Sequence, residues 1–171
     1  MTPTVLIIMG VSGSGKTTVA QQLARTLGWP FEEGDSLHPP ANVQKMREGI
    51  PLNDTDRAPW LATVAAWVSG QIAKGEHGII TCSALKRAYR RQIIGDHKDV
   101  LLVYLHGDRA TLEQHVQHRH HEYMPPLLLE SQLRTLEEPG SDEPVIQVDI
   151  GGTVEQTIAE ILSQLQAIPS A

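Results

Sequence analysis

The stretch Val-Leu-Ile-Ile-Met-Gly-Val-Ser-Gly-Ser-Gly-Lys-Thr, residues 5–17, decides the fold. Its first five residues are continuously apolar and rich in branched side chains, the pattern of a strand buried on both faces of a parallel sheet. Residues 10–17 then fit G-x-x-x-x-G-K-[ST] at every fixed position. Beyond Thr17, the residues Val19, Ala20, Leu23, Ala24 and Leu27 fall on one stripe, which predicts a helix over residues 17–27 with Gly28 as its C-terminal cap. Strand, glycine loop and helix in this order make a phosphate cradle. Glycines let backbone N–H groups curl around an anion, and the helix N-terminus adds its dipole. The residues assigned to the cradle are Gly10, Val11, Ser12, Gly13, Ser14, Gly15, Lys16, Thr17 and Thr18. Lys16 is expected to reach the β- and γ-phosphates of a nucleoside triphosphate, and the Thr17 hydroxyl to ligate Mg²⁺.

The rest of the chain alternates strand-length apolar runs with segments of helical period. Short strands are expected near residues 29–33 and over residues 78–82, 100–105 and 144–150. Helices are expected from the Pro39-Pro40 turn to about Gly49, from Pro59 to about Lys74, and over residues 86–94, 109–119, 127–136 and 154–165. Residues 51–60 read as a polar loop, with Pro59 suited to the first turn of the helix that follows. Alternation of this kind implies an α/β fold, five parallel strands covered by helices on both faces in three layers.

Composition narrows the function. In 171 residues, 14 Lys and Arg stand against 20 Asp and Glu, a formal net charge of −6, which argues against a nucleic-acid surface. A single cysteine makes no internal disulfide. The apolar N-terminal run is too short to span a bilayer and lacks the features of a signal peptide, so a soluble cytoplasmic protein of one domain, residues 1–171, is expected. No N-K-x-D is present, and the D-x-x-G at residues 149–152 follows the last expected strand, so a GTPase is disfavoured. A small-molecule kinase suits this size, and a nucleotide-binding regulatory protein without transfer activity is the rival from another class.

Acceptor residues belong in loops beyond the carboxyl ends of the strands. Glu33 and Asp35, two apart at the end of the second strand, suit two tasks: one to hold Mg²⁺ through water, the other to accept a proton or hydrogen bond from the acceptor hydroxyl. His38 follows as a substrate contact. Arg57 is a candidate clamp for an anionic substrate. Lys86 and Arg90, four apart and expected on one helix face, also suggest an anionic acceptor. Cys82 reads as a buried strand residue. In the polar segment from residue 115 to 123, Arg119 is placed to swing over the phosphates as part of a lid at about residues 115–136, and His115, His118, His120 and His121 read as solvated lid residues.

Four stretches carry a closer resemblance: MGVSGSGKT (9–17), GDSLHPPANVQKMREGIPLNDTDRAPWL (34–61), CSALKRAYR (82–90) and MPPLLLESQLRTLEEP (124–139). In this order the chain closely resembles the gluconokinases. The resemblance implies a P-loop NTPase fold of the nucleoside-monophosphate-kinase kind with a short helical lid, usually as a homodimer. It implies ATP and Mg²⁺, and transfer of the γ-phosphoryl group to the 6-hydroxyl of D-gluconate, feeding pentose-phosphate or Entner–Doudoroff metabolism. By position, Lys16 and Thr17 look like the phosphate and Mg²⁺ residues, Asp35 faces the acceptor hydroxyl, Arg57, Lys86 and Arg90 bind the sugar acid, and Arg119 is the lid arginine. Similar proteins tend to carry arginine at the place of His115 and a Gly-His pair at the place of His121 and Glu122. Another sugar-acid or shikimate-type kinase is the alternative within the same chemistry.

Overall fold

Five parallel strands form a single sheet in the order β2-β3-β1-β4-β5 in the computed structural model, which describes residues 3–117 and 126–168. The strands are β1 (Val5–Met9), β2 (Phe31–Glu32), β3 (Gly78–Thr81), β4 (Val100–His106) and β5 (Val145–Asp149). The helices are α1 (Lys16–Leu27), α2 (Pro40–Arg47), α3 (Asp54–Ala73), α4 (Arg87–Ile94), α5 (Arg109–Gln117), α6 (Pro126–Thr135) and α7 (Val154–Gln166), with a 3₁₀ turn at Gly34–Leu37. The expected three-layer α/β architecture is therefore present.

Strand periodicity divides the core. Every residue of β1 is buried, and alternate side chains serve opposite faces. Leu6 and Ile8 pack with Leu23 of α1, Leu112 of α5, Leu129 of α6 and Ile161 of α7. Val5, Ile7 and Met9 pack with Trp60 and Val64 of α3 and Tyr89 and Ile93 of α4. Strand β1 pairs with β3 on one side and β4 on the other. The chain thus winds first one way and then the other from β1, and such a reversal opens a crevice at the carboxyl ends.

Two expected boundaries moved. Helix α3 begins at Asp54, five residues before Pro59, inside the segment expected to be a loop. Asn53 supplies the reason. Its side chain accepts from the Asp56 N–H at 2.8 Å while the Asp56 carboxylate accepts from the Asn53 N–H at 3.0 Å, a complete capping box. Pro59 sits within the helix, near its start, where its missing N–H costs one bond. Helix α4 begins at Arg87, with Lys86 as an extended cap residue (φ −107°, ψ 148°). Lys86 and Arg90 therefore do not share a helix face. Among the described residues no helix is long and apolar enough to cross a membrane.

Candidate active site

The phosphate loop is built as its sequence demands. Gly15 caps α1 in the left-handed region (φ 86°), a conformation that favours glycine. Lys16 Nζ donates to the carbonyls of Gly10 at 2.9 Å and Val11 at 3.2 Å, and the side chain lines a cleft of about 240 Å³. Two helices after β4 also grip the loop. The Ser12 N–H donates to Gln132 Oε1 of α6 at 2.6 Å, and His115 Nδ1 of α5 donates to the Gly13 carbonyl at 2.6 Å.

Beside the head of α1, the Thr17 hydroxyl donates to Glu33 Oε2 at 2.6 Å, and the Thr81 hydroxyl donates to Glu33 Oε1. The Gly34 N–H donates to Thr81 Oγ1 at 3.0 Å. Both Glu33 oxygens are thus engaged by hydroxyls, so Glu33 orients Thr17. Gly34 is obligatory here, because a Cβ would lie 1.7 Å from the Thr81 carbonyl oxygen. Its own carbonyl accepts from Trp60 Nε1 at 2.8 Å, which ties the turn to α3.

Across the cleft stand Asp35, His38 and Arg57. The His38 ring lies flat on Trp60, with centroids 4.0 Å apart and planes 16° from parallel. Burial, and after it the charge of Arg57, pulls the imidazole down to about 4. Arg57 is only 9% exposed, and its guanidinium donates to the Tyr89 hydroxyl at 2.9 Å and lies over the same ring at 5.4 Å. Among the described residues no carboxylate stands within ion-pair distance of it. The Tyr89 hydroxyl donates in turn to Asp54, whose carboxyl also pairs with Lys86 at 3.2 Å. Those two partners, Tyr89 first, hold Asp54 below the usual carboxylate range.

The structure therefore brings Lys16, Thr17, Asp35, His38 and Arg57 to one cleft and sets two expected residues apart. Lys86 pairs with Asp54, and the described walls of the cleft take Ser83 and Leu85 from its loop instead. Arg90 is 1% exposed and turned inward, with Nε and Nη2 on the Glu143 carboxylate at 2.7 and 3.2 Å and Nη1 on the Ala84 carbonyl at 2.8 Å. With its donors committed to Glu143 and Ala84, it braces the loop after β3 and does not face the cleft. Arg119, His118, His120 and His121 lie outside the described residues. Cys82 falls one residue past β3 rather than in it but is fully buried as expected, and burial, followed by the Asp35 charge, pushes its thiol up to about 12. Sequence reasoning missed Gln132, Trp60, Asn42 and Tyr89 and read Asp54 only as one polar residue of a loop; only the Asn53-x-x-Asp56 spacing could have announced the start of the helix that carries Asp54 and Trp60.

A second recess, of about 390 Å³, adjoins the loop and is lined by Ser14, Thr18, His115, Gly152 and Thr153. The Ser14 hydroxyl is buried there without a hydrogen-bond partner among the described residues.

A family model described as an AAA domain matches residues 5–139. The gluconokinase of Gluconobacter oxydans (strain 621H) is 50% identical over 165 residues, which cover 96% of this chain and 93% of that protein. Among solved structures, a gluconokinase from Sinorhizobium meliloti 1021 superposes with a TM-score of 0.86 at 41% identity, covering 96% of this chain and 93% of the other. An unliganded sugar kinase from Janibacter sp. HTCC2649 superposes with a TM-score of 0.90 at 41% identity, covering 98% and 96%.

Proposed function

The chain belongs to the gluconokinase family, and from that premise we propose that it transfers the γ-phosphoryl group of ATP to the 6-hydroxyl of D-gluconate, giving 6-phospho-D-gluconate and ADP. One observation carries the acceptor class. Arg57 is a buried guanidinium that faces the cleft with a phenol, and among the described residues no carboxylate, as its hydrogen-bond partner. Burying such a charge is costly until an anion meets it, and the carboxylate of a sugar acid supplies one with matching fork geometry.

Each remaining group then has a task. Lys16 and the loop N–H groups hold the β- and γ-phosphates, and the base of ATP occupies the recess between Thr18, His115 and Thr153. Asp35 orients the 6-hydroxyl and takes its proton as the phosphoryl group is transferred in line. The donor set at the head of α1 is a hydroxyl and a carboxylate, which fits a hard cation such as Mg²⁺. Thr17 would hold it, and Glu33, by accepting the Thr17 O–H hydrogen bond, turns the hydroxyl lone pairs outward. When bound, the ion offsets charge on the transferring group. Arg119, carried by a lid at about residues 115–136, completes the charge stabilisation and the exclusion of water. Lys86 supports the acceptor side through Asp54 and Tyr89, and Arg90 by bracing its loop. The enzyme works in the cytoplasm, as a homodimer, in gluconate utilisation.

The test is ADP release from Mg·ATP with D-gluconate and, in parallel, shikimate, glycerate or nucleoside monophosphates. Turnover stimulated by gluconate alone, with 6-phosphogluconate as product, is expected. Stimulation by another acceptor would overturn the substrate assignment, and ATP binding without any acceptor-stimulated turnover would overturn the transfer activity.

A further inference from the structure

The His38 ring is held on one face and one edge by neighbours that leave its chemistry little choice. Its face lies on Trp60, whose indole is itself fixed by the Gly34 carbonyl. Its Nδ1 edge meets the Asn42 side-chain nitrogen at 3.1 Å. The orientation of that amide is settled by its second contact. The same Asn42 nitrogen lies 2.8 Å from the Asp56 carbonyl oxygen, which can only accept, so the atom there is the NH₂ group with its two hydrogens. One hydrogen goes to the Asp56 carbonyl, and the other points to His38 Nδ1. Asn42 is 3% exposed, so water does not compete for it.

A ring nitrogen that accepts a hydrogen bond carries no proton. The proton of neutral His38 is therefore on Nε2. Among the described residues Nε2 has no hydrogen-bond partner, and the side chain lines the cleft with Asp35 and Arg57. Resting on the gluconate reading, we propose that Asn42 is a positioning residue that locks His38 in the Nε2–H form, so that His38 offers the sugar acid a fixed donor for one of its hydroxyl oxygens and leaves proton removal to Asp35. The charged groups that bear on the ring are Arg57 of α3, which disfavours imidazolium, and Asp35 of the preceding turn, which shares the cleft. Burial acts in the same direction as Arg57. The lock thus holds across the pH range in which an ordinary histidine titrates. It also divides the labour of recognition: Arg57 meets the charge of the substrate, and His38 meets an uncharged oxygen.

Two experiments test it. The first is ¹⁵N spectroscopy of histidine-labelled, full-length protein without substrate. His38 is expected to show an unprotonated Nδ1 and a protonated Nε2 near neutral pH; the opposite tautomer overturns the proposal. The second is steady-state kinetics on a pair of variants. His38→Phe keeps the stacking on Trp60 but has no donor, whereas the His38→Gln amide reaches the Nε2 position. The Phe variant is expected to raise KM for gluconate about tenfold, as the loss of one hydrogen bond does, with KM for ATP unchanged and with substantial recovery in the Gln variant. Equal gluconate KM values in wild type and the Phe variant overturn the donor role, as does an equal loss for both substrates. Asn42→Asp adds a pH readout. A carboxylate at that place draws the proton to Nδ1, so Nε2–H persists only while the ring is cationic, and gluconate KM should rise with pH where wild type is flat. A flat profile in a folded Asn42→Asp protein overturns the positioning role. Failure of the gluconate reading is separable, because wild type would then show no gluconate-dependent ADP release at all.

Discussion

At the scale of the residue, charge decides what each side chain in the cleft can do. Lys16→Ala is expected to lower kcat for gluconate-dependent ADP release by on the order of a hundredfold or more, since it removes a preorganised cation from the transferring phosphates. Unchanged kcat would reassign the loop. Arg57→Met leaves the fold apolar and intact where the guanidinium was buried. It should raise KM for gluconate by about 10- to 100-fold, the loss of a charge-assisted hydrogen bond, while isothermal titration with ATP stays as in wild type. That Lys16, Thr17 and Asp35 share a cleft was legible from motif spacing and strand-end position, and that Arg57 joins them from the polar loop that carries it. The inward turn of Arg90 was not: a helical spacing says which residues share a face, and the partner that claims the face, Glu143, lies 53 positions along the chain.

At the scale of the element, α3 is the bridge between the acceptor side and the core. It presents Arg57 and Trp60 to the cleft while Val64 and Val68 sit beneath the sheet. Asn53→Ala breaks the capping box and should cost about 1 kcal/mol, a fall of about 2–4 °C in the melting midpoint, accompanied by a higher gluconate KM as the first turn frays under Arg57. A midpoint within experimental error of wild type would mean the cap contributes nothing. Strand and helix order was legible throughout because apolar period survives local ambiguity. The start of α3 was misplaced because Pro59 looks like a first-turn residue, and the stronger signal, an Asn three residues before an Asp, lay upstream of it. Helix α4 starts one residue later than expected, after a loop in which Ala84 adopts φ 48°, a conformation that a non-glycine residue rarely takes and that sequence does not advertise.

At the scale of the whole molecule, the segment after α6 is bolted to α4 by carboxylates. Glu143 holds Arg90, Asp142 holds Arg87 at 2.6 Å, and the Glu137 carboxylate accepts from the Arg87 N–H at 2.9 Å. Glu143→Ala would strand a buried guanidinium at a cost of about 3–5 kcal/mol, a fall in melting midpoint on the order of 10 °C. A shift of a degree or two would show that water reaches Arg90. Acid should also weaken the fold through His38. Its ring binds a proton near pH 6.5 in the unfolded chain but only near 4 in the folded one, so its contribution is whole above 6.5 and is lost as pH falls toward 4. The drop in melting midpoint between pH 7.5 and 5 should be smaller in His38→Phe than in wild type.

Gly34 has a mechanical meaning that its size alone does not convey. Its N–H belongs to the phosphate half of the cleft, through Thr81 and Glu33, and its carbonyl belongs to the acceptor half, through Trp60. One residue, through the two peptide groups that flank its Cα, is thus the fulcrum between donor and acceptor. The gap that the phosphoryl group must cross is gauged by the protein before either substrate arrives.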